Sequence, residues 1–366
     1  MKISILMSVS SPWSRQVALK LSSQKNRLQV IDFYSEGSQQ YLKKSDQAAE
    51  IDQFYKSVDR VDFIQSSIKS KLRYLVFPLK LKELLRAFSP DILLTLYGGG
   101  YGAMALLSFF RPYAVYIVGS DVMVMNPVKK IFTRIMLNKA EVVFVNGKYL
   151  AEKTREVAPK ANIKPLYIGI DTKKFKRDKT TRSKKIRIVC TRGFAPVYNN
   201  QYIIEALGKL QENIPDFEFI FSSRGPLLEN VKTFADKTLS PKIRKKVIFY
   251  GGVTSQKLVE LLSTADIYIS VSRSDGTSVS MLEAMSCSLY PVLSDIPQNR
   301  EWLCDNNMTL VPLDQPGVFA QTLADTMKNI SQKRKLGEKN RKLILELADE
   351  EKNIAGLISI LGQLTP

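Results

Sequence analysis

Short uncharged runs of aliphatic, β-branched and aromatic residues recur along the whole chain, and they constrain its fold more than any other feature. Residues 92–96 (ILLTL), 114–118 (AVYIV) and 142–146 (VVFVN) show no alternation of apolar and charged positions. A strand with one wet face alternates, so these runs belong to strands covered on both faces, as in a parallel sheet flanked by helices. The pattern opens with a strand at residues 3–7, a helix over 15–23 and a strand at 28–34. It restarts at residues 186–191 and continues at 217–222, 247–250, 267–271 and 290–294. Residues 140–146 (AEVVFVN) and 265–271 (ADIYISV) echo each other, each a helix end feeding a buried strand. Equivalent positions in two Rossmann-like domains explain the echo.

A chain of 366 residues also exceeds the usual single core, and its 45% hydrophobic content is ordinary for a soluble protein. Residues 173–185 (KKFKRDKTTRSKK) are charged and poor in aliphatics, as a solvated linker should be. The expected division is a first domain over residues 1–175, a linker over 176–185 and a second domain over 186–345. Residues 346–366 begin acidic and then carry Ile354, Leu357, Ile358, Ile360 and Leu361.

Composition excludes several chemistries. With no histidine in the chain, His-dependent triads, His-metal sites and imidazole acid–base catalysis are ruled out. Cys190, Cys287 and Cys304 form no metal-like pair and no even-numbered framework, which fits a reducing, cytoplasmic compartment and predicts three buried thiols. No Asp-x-Asp cluster is placed to hold a magnesium diphosphate, so neither metal nor cofactor is expected. Residues 1–9 (MKISILMSV) suit a first strand better than a signal peptide, because the apolar run is short. The longest uncharged stretch, 92–110, approaches membrane-spanning length, but Gly98, Gly99, Gly100 and Gly102 interrupt it. A strand, a glycine turn and a buried helix fit it better.

Net charge is +19, and residues 1–175 hold 27 Lys and Arg against 14 Asp and Glu. The densest segment, residues 68–86 (IKSKLRYLVFPLKLKELLR), interleaves cations with apolar residues at roughly helical spacing around Pro78. Such a segment suits an anionic membrane surface, at about 1 kcal/mol per well-placed Lys or Arg. A pair of ordinary surface helices is the plainer alternative. Nucleic acid is not expected as a partner, since no recognised motif accompanies the charge.

The chemistry concentrates in residues 275–287 (DGTSVSMLEAMSC). They follow a buried strand and run into a short helix over 278–286, so the N–H groups of Gly276, Thr277 and Ser278 fall at a helix N-terminus. Unpaired donors and the helix dipole there favour diphosphate oxygens, and glycine lets the backbone approach a ligand closely. Asp275 precedes the helix and Glu283 lies within it, so two carboxylates bracket the cradle, one suited to a ribose and the other to a hexose. A structural reading competes: Ser280 and Glu283 have capping-box spacing, and Asp275-Gly276 is a common turn dipeptide.

Residues 272–303 (SRSDGTSVSMLEAMSCSLYPVLSDIPQNREWL) resemble the donor-site signature of family 4 retaining glycosyltransferases, with its two acids separated by seven residues. Residues 90–102, 119–121, 167–175, 191–199 and 247–266 agree in order, so the similarity spans most of the chain. The resemblance implies a GT-B architecture, two Rossmann-like domains whose parallel sheets face a central cleft, with the C-terminal helix of residues 346–366 packing back onto the first domain. It assigns Asp275 to hydroxyls of the transferred sugar and Glu283 to the nucleotide ribose. The first acid is usually Glu in the family; here it is the shorter Asp275. Arg192 stands where the family places its diphosphate-binding arginine, beyond the first strand of the second domain, where open parallel sheets present ligands. The lysine that usually follows is replaced in residues 193–200 (GFAPVYNN) by Tyr198 and Asn199, and Arg224, in a glycine turn, is a candidate for the missing charge. Residues 250–258 (YGGVTSQKL) resemble the base-recognising loop, with main-chain groups near Val253 and Leu258 reading the nucleobase edge.

On the acceptor side, residues 8–14 (SVSSPWS) bring Ser11 and Trp13 to the end of the first strand, with Trp13 as a stacking platform or a buried core residue. Tyr97 and Asp121 end later strands. Asp121 is a candidate acceptor of the hydroxyl proton, or a cap of the next helix.

The resemblance therefore implies a retaining, metal-independent transfer of sugar from a nucleotide diphosphate, UDP-sugar favoured and GDP-sugar possible, to a hydroxyl of a glycan acceptor. The departing diphosphate oxygen takes the proton, and electrostatic stabilisation carries the step. A lipid-linked acceptor on the inner leaflet, in cell-surface polysaccharide or glycoconjugate assembly, fits the basic first domain. Two other readings keep the fold: a sugar-nucleotide epimerase, and a non-catalytic sugar-nucleotide-binding protein.

Overall fold

The structure is a computed structural model describing residues 1–34, 48–65, 73–123, 125–178, 185–211 and 213–365. It divides into two compact units, Met1–Tyr167 with Glu351–Pro366, and Ile168–Glu350.

In the first unit, seven strands form one sheet: β1 (Lys2–Leu6), β2 (Arg27–Tyr34), β3 (Arg60–Gln65), β4 (Ile92–Leu96), β5 (Tyr113–Ile117), β6 (Val142–Val145) and β7 (Ile163–Pro165). Every pairing is parallel, in the order β3-β2-β1-β4-β5-β6-β7. In the second unit, β8 (Ile186–Cys190), β9 (Phe217–Phe221), β10 (Val247–Phe249), β11 (Ile267–Ser270), β12 (Tyr290–Ser294) and β13 (Thr309–Val311) are again all parallel, in the order β10-β9-β8-β11-β12-β13. Both sheets are doubly wound and reverse direction beside their first strand, between β1 and β4 and between β8 and β11. Loops on either side of such a reversal diverge and leave a crevice at the carboxyl ends of the strands.

The apolar runs fill the interior as their pattern requires. Every residue of β4, β5, β6, β11 and β12 is buried. The three strands absent from the expected set, β3, β7 and β13, are all sheet edges. An edge strand has one open side and carries charge there, so Arg60, Asp62 and Lys164 interrupt the hydrophobic signal. The uncharged stretch 92–110 resolves into β4, the glycine turn and the helix Gly100–Ser108, with Met104, Ala105 and Leu106 buried. No helix of the described residues is long and apolar enough to cross a membrane.

Three expectations need correction. Residues 68–72 lie outside the described residues, and the rest of the basic segment forms one helix, Arg73–Phe88, running through Pro78. Its apolar residues Phe77, Leu81, Leu85 and Phe88 are buried in the core, while Leu79 is exposed. The charged stretch expected to separate the domains is tied into the second unit as far as Asp178. Phe175 is buried and its carbonyl accepts from Ser286 Oγ (2.6 Å) and Arg341 Nη1 (3.0 Å), while Arg177 pairs with the buried Asp266 at 3.0 Å. The division therefore falls at Tyr167, ahead of the charge run; residues 179–184 lie outside the described set. Lastly, Cys190 and Cys287 are buried but Cys304 is exposed, in the turn before β13.

The C-terminal helix Glu350–Gly362 buries Ile354, Leu357 and Leu361 and belongs to the first unit from Glu351 onward. Asn353 Nδ2 donates to the Tyr167 carbonyl (3.0 Å), and Lys20 pairs with Glu351 at 3.7 Å.

Candidate active site

Strand order brings the two ends of the candidate site together. Arg192 follows β8 and Asp275 follows β11, neighbouring strands at the reversal of the second sheet, although 83 residues separate them. Arg192 Nη2 donates to Asp275 Oδ2 at 2.6 Å, and Nη1 donates to Ser278 Oγ (2.9 Å) and Ser280 Oγ (3.0 Å). Beneath this fan of bonds, the guanidinium stacks on the Tyr198 ring, 4.3 Å from its centroid. Tyr198, standing where the family has lysine, thus supports the arginine instead of adding a charge.

The helix that follows is Val279–Ser286, and Ser278 is its N-cap, accepting from the Met281 amide at 3.4 Å. Capping therefore belongs to Ser278 and Met281, not to the Ser280–Glu283 spacing, which leaves Glu283 without a capping duty. The Gly276 amide turns to the Asp275 carboxylate (3.0 Å), while those of Ser278 and Val279 donate to no acceptor among the described residues. Two unpaired helix-end amides beside a guanidinium form a concentrated region of positive potential. Thr277 is buried and hydrogen-bonded.

Glu283 lies one turn into this helix with its carboxylate unbonded among the described residues. Burial pushes it up to about 7, against the pull of the Lys174 ammonium. Lys174 Nζ in turn donates to Ser255 Oγ at 2.6 Å, at the start of the helix Ser255–Thr264. Burial also raises the Asp275 carboxyl, with Arg192 opposing.

The loop expected to read a nucleobase precedes the helix Ser255–Thr264, where Thr254 caps by accepting from Lys257 N at 3.2 Å. Leu258 N is committed to Thr254 O (2.9 Å), so the Leu258 amide has no capacity left, whereas Val253 makes no main-chain hydrogen bond among the described residues. Arg224 lies against Gly252: a Cβ there would stand 2.3 Å from its Nε. The Arg224 side chain thus packs on the loop expected to read a nucleobase.

The acceptor-side residues of the first unit are less uniform. Ser11 is the N-cap of the helix Pro12–Ser23, accepting from Ser14 N at 3.3 Å. Trp13 is half-buried and packs against Tyr116 (centroids 5.7 Å apart) with its indole nitrogen buried. Tyr97 Oη lies 3.3 Å from Ser120 Oγ, and both line a cavity of about 660 Å³ with Asp121, Asn126, Lys129 and Phe132. Asp121 is 7% exposed, and its carboxylate accepts the amides of Gly98 (2.9 Å), Val118 (3.2 Å) and Gly119 (2.8 Å). Both oxygens are engaged in clamping two glycine turns.

Three participants were absent from the expected site, and one further buried acid was not singled out. Ser280 and the Tyr198 stack became visible only through Arg192, and Lys174 only through Glu283. Asp32, 3% exposed at the end of β2, accepts Val9 N (2.7 Å), Phe33 N (2.7 Å) and Tyr101 Oη (2.6 Å), and burial pushes it up to about 6. An acid closing an apolar strand was the available signal for it.

Known sequences fit this arrangement. A profile described as Glycosyl transferases group 1 matches residues 171–343, spanning Lys174, Arg192, Asp275 and Glu283, and one described as Glycosyl transferase 4-like matches residues 14–147. The chain belongs to the group 1 glycosyltransferases. Among relatives of this group 1 chain, a putative glycosyltransferase EpsD of Bacillus subtilis is 27% identical over 152 residues, 41% of the chain and 39% of that protein. A GDP-mannose:cellobiosyl-diphosphopolyprenol alpha-mannosyltransferase of Xanthomonas oryzae is 26% identical over 148 residues, 39% of the chain and 37% of that protein. The chain thus spans about two fifths of the length of these two relatives. Anabaena HepE, solved in complex with UDP, shares the fold with a TM-score of 0.82 at 14% identity, covering 100% of each chain. The group 1 chain has the GT-B fold.

Proposed function

We propose that the chain is a family 4 retaining glycosyltransferase that moves a sugar from a nucleotide diphosphate donor, UDP-sugar favoured over GDP-sugar, to a hydroxyl of a glycan acceptor carried on a lipid. The observation that carries the reading is the convergence of Arg192, two unpaired helix-end amides and the unbonded Glu283 carboxylate at the reversal of the second sheet. Such a constellation matches a nucleoside diphosphate in order: positive charge for the diphosphate, a carboxylate for the ribose hydroxyls, and the main chain of Val253 for the base edge.

In this reading, binding places the diphosphate against Arg192 and the helix N-terminus, where negative charge grows as the sugar–phosphate bond breaks. Donors already aimed at that charge need no reorganisation, which is why such groups are worth several kcal/mol of barrier. The leaving oxygen accepts the proton of the attacking hydroxyl on the same face, so the anomeric configuration is kept and neither a histidine nor an enzymic nucleophile is needed. Asp275, released from Arg192, accepts sugar hydroxyls. The cavity beside Tyr97 and Ser120 receives the acceptor. Support for a UDP donor is the fold shared with HepE; support for a lipid-linked acceptor and for GDP as second choice is the name of the Xanthomonas relative.

A thermal-shift screen of UDP- and GDP-sugars, followed by NMR of the product's anomeric proton, tests the reading. Stabilisation by a sugar nucleotide and a product of unchanged configuration in the presence of a chelator are expected. No response to any sugar nucleotide, or an inverted product, refutes it.

A further inference from the structure

The helix Pro127–Lys139 is apolar on two opposite sides. Its inner side, Thr133, Met136 and Leu137, is buried, with Met136 seated where Gly102 leaves room. On the outer side Val128, Ile131 and Ile135 are 78%, 64% and 46% exposed. Their spacing of three and four residues stacks them into one stripe along the helix. Lys130 and Arg134 border the stripe on one flank and Lys139 on the other, all exposed, and no acidic residue lies between Asp121 and Glu141. An ordinary solvated helix face does not concentrate three bare aliphatic side chains between cations. The arrangement is that of an interfacial helix, which sinks an apolar stripe among acyl chains and leaves its cations at the headgroups.

We infer that this helix is the surface by which the protein docks on an anionic lipid bilayer. Charge complementarity selects this occupant: a second copy packed on the same face across a two-fold axis would set like charges against like, whereas an anionic leaflet neutralises them. The consequence for the site is direct. Phe132 and Lys129, on this same helix, line the cavity that holds Tyr97 and Ser120, so docking brings the cavity wall to the headgroup level where a lipid-linked glycan presents its hydroxyl. The inference deepens the lipid-linked reading above and rests on it for the acceptor, but the docking itself is measured without donor or acceptor.

Flotation of the full chain with phosphatidylcholine vesicles, with and without phosphatidylglycerol, tests it. Binding is expected only with the anionic lipid. A variant carrying Ile131→Ser and Ile135→Ser, and a second carrying Lys130→Gln, Arg134→Gln and Lys139→Gln, should each lose it, the latter by about fivefold per charge removed. Both sets are exposed, so thermal unfolding and UDP-sugar binding should match the parent and show that the fold persists. Anionic-vesicle binding that survives both variants overturns the inference. So does a parent dimer in light scattering that the serine variant converts to monomer, which would assign the stripe to a second copy. Vesicle binding by a protein that ignores all sugar nucleotides would uphold the docking surface while removing the transferase reading.

Discussion

Arg192 and Asp275, the two residues expected to hold different parts of a donor, hold each other at 2.6 Å, with side chains 11% and 18% exposed. A guanidinium so paired is kept in place by Asp275, Ser278, Ser280 and the Tyr198 ring, but its charge is partly spent inside the protein. Donor binding then exchanges one anion for another.

Replacing Arg192 by Ala should lower kcat by about a hundred- to a thousandfold, the usual loss of one donor aimed at developing charge. Arg192→Lys should recover little, because one ammonium cannot repeat the fork that reaches Asp275 and two serines while stacking on Tyr198. Asp275→Asn removes the internal competitor, so calorimetry should show UDP binding tightened several-fold while sugar transfer falls. Unaltered UDP affinity would show that the pair does not compete.

Glu283 links affinity to stability. Its folded value of about 7 lies above its ordinary 4.5, so the folded state holds this proton more tightly than the unfolded one. Stability from this group is therefore lost as pH rises from about 4.5 to 7, with the full penalty above 7. Glu283→Gln should weaken UDP-sugar binding by about tenfold or more, as expected for a lost charged acceptor. The same variant should exceed the parent in stability at pH 8 by roughly 1–3 kcal/mol and show no such advantage near pH 4. Urea unfolding at the two pH values checks it; a variant less stable at pH 8 contradicts the buried charge. Asp32, raised to about 6, adds to the parent's loss over a slightly more acidic window.

Lys174 opposes the burial of Glu283, so Lys174→Met should raise the Glu283 value further. The pH at which UDP affinity strengthens, near 7 in the parent because the ionised form accepts ribose hydroxyls, should move upward. An unmoved midpoint would mean that Lys174 serves only its 2.6 Å bond to Ser255.

Asp121→Asn distinguishes a clamp from a base. An amide has one acceptor oxygen for the three backbone N–H groups that the carboxylate now serves. We expect a stability loss of about 2–4 kcal/mol in urea unfolding, the range for a disrupted buried polar cluster, with the shape of the pH–rate profile unchanged. Loss of one limb of that profile would support Asp121 as a proton acceptor.

The central strands were legible because burial on both faces demands uninterrupted apolar runs, as at Val142–Val145, and the edge strand β3 was not because solvent on one side permits Arg60 and Asp62. The donor site was legible in outline: Asp275, the Gly276 turn and Glu283 lie within one short stretch, where the strand-to-helix junction fixes their relation. The partners of Arg224 and Asp121 were not legible, for a common reason. A loop side chain's partners come from distant segments, Gly252 for one and Gly98 for the other, and spacing along the chain carries no record of them.

The sequence by itself determined two parallel sheets, a phosphate-suited helix start and a surplus of positive charge, because periodicity and local turn chemistry act over a few residues. Tertiary structure alone decided which charges are spent and which surfaces are bare. It joined Arg192 to Asp275, left Glu283 unbonded among the described residues, buried Phe77, Leu81 and Leu85 of Arg73–Phe88 and exposed Val128, Ile131 and Ile135 of Pro127–Lys139. The physical reason is that burial and pairing are properties of what packs against a residue, and packing partners are set by the order of strands in the sheet.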